Sequence, residues 1–194
     1  MAREYLATHR ELIDNVQRTA TPIARVELLR SMADVRYATG DIDDAVRLAK
    51  KPEEECRTFL GTAIPAYGYC CWTLAVVETP PRPSTAGIQR LLTALGKNRE
   101  ILGNDHPLIG ECHLHLGQAR LRAGESADAN SDFSLCLRSR TRVFGAKSPQ
   151  VAEVLEWDAL ALDRPGQHDR ALESLERAQL IRRASAGNVL VKKP

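Results

Sequence analysis

The sequence predicts an all-α repeat protein in which antiparallel helix pairs stack into a solenoid. Three observations predict it. The 194 residues include 25 Ala and 24 Leu but only nine aromatic residues, a helix-former's composition poor in strand formers. Several independent columns recur every 42 residues. Each period also holds two helix-length segments parted by Gly or Pro, and such a pair buries its apolar face only against its neighbours.

The columns are explicit. Leu60-Gly61 recurs as Leu102-Gly103 and Phe144-Gly145, and a further step lands on Ala186-Gly187. Pro65, Pro107 and Pro149 keep the spacing, as do Ala33, Ala75, Gly117 and Ala159. So do Ala45, Gly87, Ala129 and Ala171; Ala49, Leu91, Phe133 and Leu175; and Pro52, Ala94, Cys136 and Ala178. Gly40, Gly124 and Gly166 form a last column, in which Arg82 is the exception.

The elements follow in order. A leading helix is expected at 3–18. Thr21-Pro22 opens the first pair, 22–39 and 41–58, and Pro52, lacking an N–H, is expected to kink or split its second helix near Lys51. The second pair, 63–78 and 84–101, carries a stiff proline-rich connection, Glu78 to Ser84. In the third pair, 106–123 and 126–143, Asp105 is expected to cap a helix with Pro107 in its first turn, Gly124 makes the turn, and Phe144-Gly145 ends the unit. Gly117 is expected to face Ala129, and Phe133 and Cys136 to share one apolar stripe. Ser148-Pro149 opens the last pair, 149–163 and 167–184; the tail 185–194 is expected to fold over it or dock on a partner. Residues 1–194 thus read as a single domain, with repeats at about 22–61, 62–103, 104–145 and 146–184.

Composition excludes several function classes. With 43% hydrophobic and 27% charged residues the chain has apolar surface for a core, and a net charge of +2 gives little electrostatic drive toward nucleic acid or an acidic membrane. The longest apolar stretch, Tyr69 to Val77, is far short of the roughly 18 residues of a membrane span. The N-terminus has no apolar signal region, and Glu4, Glu11 and Asp14 argue against a transit peptide. Cys56, Cys70, Cys71, Cys112 and Cys136, odd in number and without framework spacing, read as reduced thiols, so a cytoplasmic location is expected.

Catalytic signatures are missing from the sequence: it has no phosphate loop, no GxGxxG, no CxxC and no HExxH. Cys112, His113 and His115 are the most metal-like cluster. Residues two apart point to opposite sides of a helix, however, and His113 lies nearer the packing face, so it reads as a satisfied histidine. The vicinal Cys70-Cys71 reads as two helical thiols. Glu153 and Glu156 read as a solvated face suited to basic peptides. Arg138, Arg140 and Arg142, with Arg120 and Arg122, read as solvated helix surface that could offer a local positive patch. The expectation is no catalytic residue, no cofactor and no metal.

The small-residue columns resemble the tetratricopeptide repeat. Gly117, Ala129, Phe133 and Cys136 match its order, as do Ala159, Ala171, Leu175 and Ala178. The 42-residue period, with LGNDHP (Leu102 to Pro107) between pairs, resembles the kinesin-light-chain variety. The segment ILGNDHPLIGECHLHLGQARLRAGE is also similar to the C-terminal helical region of SET/MYND-type lysine methyltransferases. The resemblance implies a right-handed superhelix whose first helices line a concave groove for a protein or peptide partner. By position, the groove residues are Arg30, Asp34, Trp72, Leu114, His115, Gln118, Glu156, Trp157 and Leu160. Kinesin-light-chain repeats carry paired Asn where this chain has Leu114 and His115, and the Lys/Asn carboxylate clamp of chaperone-binding members has no counterpart here. The function expected is a non-catalytic adaptor or scaffold. The alternative is an accessory helical domain of a larger SET/MYND-like methyltransferase, selecting or gating protein substrate. Self-association through the array ends is a further expectation.

Overall fold

The structure, a computed structural model, describes residues 21–79, 85–163 and 166–190, the last five by backbone alone. The expected helix 3–18, most of the proline-rich connection and the extreme C-terminus lie outside the described residues. Among the described residues there are eight α-helices and no strand: α1 Pro22–Ala38, α2 Ile42–Glu55, α3 Pro65–Val77, α4 Thr85–Leu102, α5 Pro107–Ala123, α6 Ser126–Phe144, α7 Pro149–Asp163 and α8 His168–Leu190. They fall into two compact units, 1–78 and 79–194, divided at the proline-rich connection.

The glycine columns are the joints. Gly40, Gly124 and Gly166 end first helices, Gly61, Gly103 and Gly145 follow second helices, and all six have φ between 78° and 92°. At Gly124, φ 89° and ψ 4° form a left-handed C-cap, where a Cβ would crowd the carbonyl, and its N–H closes back on the helix. The opening residues differ from one another. Thr21 Oγ1 accepts from Ala24 N at 3.4 Å and Ser148 Oγ from Val151 N at 3.3 Å, as cap residues do. The third pair corrects the expectation for Asp105. His106 is the N-cap, its Nδ1 accepting from Leu108 N at 3.2 Å, because Arg142 engages the Asp105 carboxylate instead.

In the first unit, α1, α2 and α3 pack around Leu29, Ala33, Ala45, Leu48, Ala49 and Val77. Pro52 does not split α2, which runs through it to Glu55. The proline is buried in the column that Ala94, Cys136 and Ala178 fill elsewhere, and packing holds the helix across the missing hydrogen bond. Beyond Glu55 the backbone passes into a π-helical turn, Cys56–Leu60, closed by Gly61 N to Cys56 O at 2.8 Å.

In the second unit α5 packs on α6 and α7 on α8, with α6 against α7 and α4 against α5. Phe133 and Cys136 are fully buried with Leu114, Leu121, Ala129, Val154 and Ala161. The atoms nearest to Gly117 belong to the Phe133 ring: a Cβ there would lie 2.7 Å from Cε1. A large residue one helix turn beyond Ala129 needs the space a glycine leaves. The first part of the tail is helical. Residues 185–190 continue α8, so Gly187, the fourth step of its column, falls inside a helix.

Candidate interaction surface

The candidate groove residues lie on the first helices of the pairs. In the first unit, Arg30 on α1 bonds Asp34 one turn on at 3.0 Å, and its guanidinium stands 5.6 Å from the centre of the Tyr69 ring. Burial raises the Asp34 carboxyl above its ordinary value, against the pull of Arg30. Trp72, on α3, is 5% exposed and belongs to the core.

In the second unit, α5 carries Leu114, His115 and Gln118, and α7 carries Glu156, Trp157 and Leu160. Leu114 is 4% exposed and shares a core cluster with Trp157, whose ring stacks on Phe133 at 6.5 Å. Leu114 and Trp72 thus fill the interior and present little surface. His115 and Gln118 are half-buried, and burial lowers the His115 pKa. Leu160 is 54% exposed, one turn from Trp157 and Glu156 on the same helix face. The Glu156 carboxylate takes Arg182 Nη2 at 2.7 Å, which holds its pKa below the ordinary value.

The basic patch and the open acidic face need correction. Arg140 is buried, and its fork binds Glu111 at 2.8 and 2.9 Å while Nη1 reaches Glu153 Oε2 and the Gln150 carbonyl, each at 2.8 Å. Burial opposes its charge, but the hydrogen bonds to Glu111 and Glu153 more than compensate and raise its pKa. Glu153 is therefore a partner of Arg140, and Glu156 of Arg182. Arg120 is engaged too, its Nη1 on Asp132 at 2.7 Å.

The sequence did not reveal a polar chain through the second unit. His113 is buried, with Nδ1 2.8 Å from Asp132 Oδ1 and Nε2 3.0 Å from Arg99 Nη2. A carboxylate only accepts and a guanidinium only donates, so the ring is the Nδ1–H tautomer. The one available signal was that His113 and Arg120, seven residues apart, share a helix face; their common partner comes from α6. Asn98 is wholly buried and donates to Cys112 Sγ at 3.4 Å, while its Oδ1 has no partner. All five cysteines are free and buried, and burial pushes the Cys112 and Cys136 thiols up to about 12. Among the described residues no group of three His, Cys, Asp or Glu side chains could hold a metal ion, and no helix is long and apolar enough to cross a membrane.

Paired helices with glycine joints and small residues at the crossings define a tetratricopeptide-like repeat fold. Neither a family model nor a curated protein matches the chain. Solved structures do. BtubC (BKLC) from P. vanneervenii superposes with a TM-score of 0.76 at 16% identity, over 95% of this chain and 74% of that one. A Podosopora anserina kinesin-light-chain-like protein with nearly identical TPR-like repeats does so in two crystal structures. One has a TM-score of 0.65 at 17% identity over 95% of this chain and 88% of the other. The second has 0.62 at 17% over 94% and 88%. The likeness establishes the fold; a relationship to SET/MYND-type methyltransferases is not shown by it.

Proposed function

We propose that the chain is a non-catalytic scaffold that seats a partner protein or peptide on the first helices of its repeats, with 1–194 acting as one array. The observation that carries the reading is the surface of α7 and α5 within a tetratricopeptide-like fold. Leu160 stands open one turn from Trp157 and from the Glu156–Arg182 pair on α7, and α5 offers the half-buried polar groups His115 and Gln118. An apolar anchor with a polar rim is how protein interfaces concentrate binding energy. Arg30 and Asp34 are the corresponding contacts on α1. The mechanism is presentation of a preformed surface, with no bond made or broken.

Two features favour binding over catalysis. Burial holds Cys70, Cys112 and Cys136 as neutral thiols, which are poor nucleophiles. His113 has both ring nitrogens engaged. Five free thiols suit the reducing cytoplasm.

The test is affinity capture with quantitative mass spectrometry. Leu160→Arg combined with Gln118→Arg should remove the partners that the wild type and an α8 surface control, Leu180→Arg, both retain. A partner set unchanged by the double substitution would place binding elsewhere.

A further inference from the structure

A cleft of about 540 Å³ opens in the second unit between α4, the loop before α5, α5 itself and α6. None of the nine groove residues lines it. Its wall carries three guanidiniums, Arg99, Arg138 and Arg142, against one carboxylate, Asp105. The three cations are held differently. Arg142 bonds the Asp105 carboxylate and carbonyl, and its hydrogen bond and charge, with Arg138 adding to the field, keep that carboxyl below its ordinary value. The Asp105 side chain is 89% exposed, so this pair sits at the solvent edge. Arg138 is exposed and makes no hydrogen bond or ion pair with a described residue.

Arg99 is the informative one. It is fixed by His113 Nε2 at 3.0 Å, a contact that brings no negative charge. Behind the imidazole, Asp132 already takes Arg120 on its second oxygen at 2.7 Å. The buried His113–Asp132 pair thus holds an exposed cation that no carboxylate of this relay neutralises at close range. Ser139 adds a neutral hydroxyl to the lining.

We propose that this cleft binds a phosphate monoester, with Arg99 and Arg138 clasping the phosphoryl oxygens and Arg142 in competition between the ligand and Asp105. Guanidinium forks match phosphate geometry. The surplus positive charge of the wall matches the roughly −1.5 to −2 carried by a monoester, where a carboxylate brings one charge. The volume falls in the roughly 300–1,000 Å³ range of ligand sites, so there is room for the group esterified to the phosphate. That group is either a phosphorylated side chain of a protein or a small soluble metabolite-like ester.

Isothermal titration of the full chain tests the proposal and separates the two sources. The probes are an alanine-flanked phosphoserine pentapeptide, its serine and glutamate counterparts, and glycerol phosphate. Saturable binding of the phosphopeptide but not of the serine or glutamate peptide supports a protein source. Binding of glycerol phosphate alone supports a small ester. In either case Arg99→Gln and Arg138→Gln should each weaken binding about tenfold or more, as loss of a charge-assisted hydrogen bond does. Asp105→Asn, which releases Arg142, should strengthen it. Arg122→Gln removes an equal charge from an exposed site on α5 outside the cleft and should change little. The proposal is overturned if no phosphate probe saturates below about 10 mM, a dissociation constant weaker than the millimolar end of ordinary affinities. It is equally overturned if Arg122→Gln weakens binding as much as Arg138→Gln.

Discussion

Replacing Gly96 by alanine should stabilise the protein, whereas replacing Gly117 should not. Both lie inside helices, on α4 and α5, without positive φ, so each substitution recovers about 1 kcal/mol of helix propensity. A Cβ on Gly96 meets nothing within 4 Å, so that gain stands nearly whole. On Gly117 the new carbon would lie 2.7, 2.9 and 3.0 Å from Phe133 Cε1, Cδ1 and Cζ. The ring has little room to retreat, being fully buried and stacked on Trp157. Overpacking of this kind costs about 1–3 kcal/mol, which makes Gly117→Ala neutral to about 2 kcal/mol destabilising. Propensity cancels between the two variants, so their difference isolates the steric cost. Both sites belong to the same compact unit, so urea or thermal unfolding followed by circular dichroism compares them fairly. The melting temperatures should part by roughly 2–12 °C at about 2–4 °C per kcal/mol. If Gly117→Ala is as stable as Gly96→Ala, the ring has space and the close helix crossing at Gly117 is not what holds α5 to α6.

Arg140→Ala should destabilise the second unit by about 2–3 kcal/mol, below the roughly 3–5 of a fully buried pair because Glu111 and Glu153 are partly exposed and regain water; a change under about 0.5 kcal/mol, the range of ordinary surface substitutions, would refute the bridging role. Burial depresses the His115 pKa, so the unfolded chain takes up the proton first. Its contribution is whole above the ordinary value of 6.5 and is lost as pH falls from there through the lowered folded value, among Glu111, Arg122, Arg140 and Glu153. His115→Gln should flatten the stability–pH curve in that window, and an unchanged slope would contradict the assignment. The purified chain, given S-adenosylmethionine and a peptide library, should transfer no methyl group; measurable transfer would defeat the scaffold reading.

Much of this architecture was legible because its determinants are local. A glycine needing a left-handed joint or a proline opening a helix betrays itself at one position, and the 42-residue period multiplies that signal. Sequence reading failed where a residue had a choice of partners. Asp105 is a reasonable cap by spacing, but Arg142 comes from a helix 37 residues away and takes its carboxylate. Alternation made Arg140 look solvated, yet two carboxylates on separate helices converge to bury it. Spacing sets Gly117 opposite Ala129, but it does not show that the Phe133 ring, one turn further on, comes nearest to it. For the candidate groove residues, the sequence identifies the helices that carry them but not the depth of each side chain, which is why Trp72 and Leu114 prove internal while Leu160 stays open.

The relay Arg120–Asp132–His113–Arg99, buried at Asp132 and His113, bears on how a chain of look-alike units finds its correct alignment. A solenoid built from similar modules can slip by a whole module and still match one apolar stripe to another. Here such a slip is penalised. One period earlier, the positions of Arg120, Asp132, His113 and Arg99 hold Glu78, Arg90, Cys71 and Arg57; one period later they hold Leu162, Ser174, Leu155 and Thr141. Either displacement would leave Asp132 in the interior without its imidazole and its guanidinium, and an uncompensated buried charge costs several kcal/mol. The four residues therefore act as a key cut for one position in the array, giving the third module an address that its small-residue columns alone do not supply.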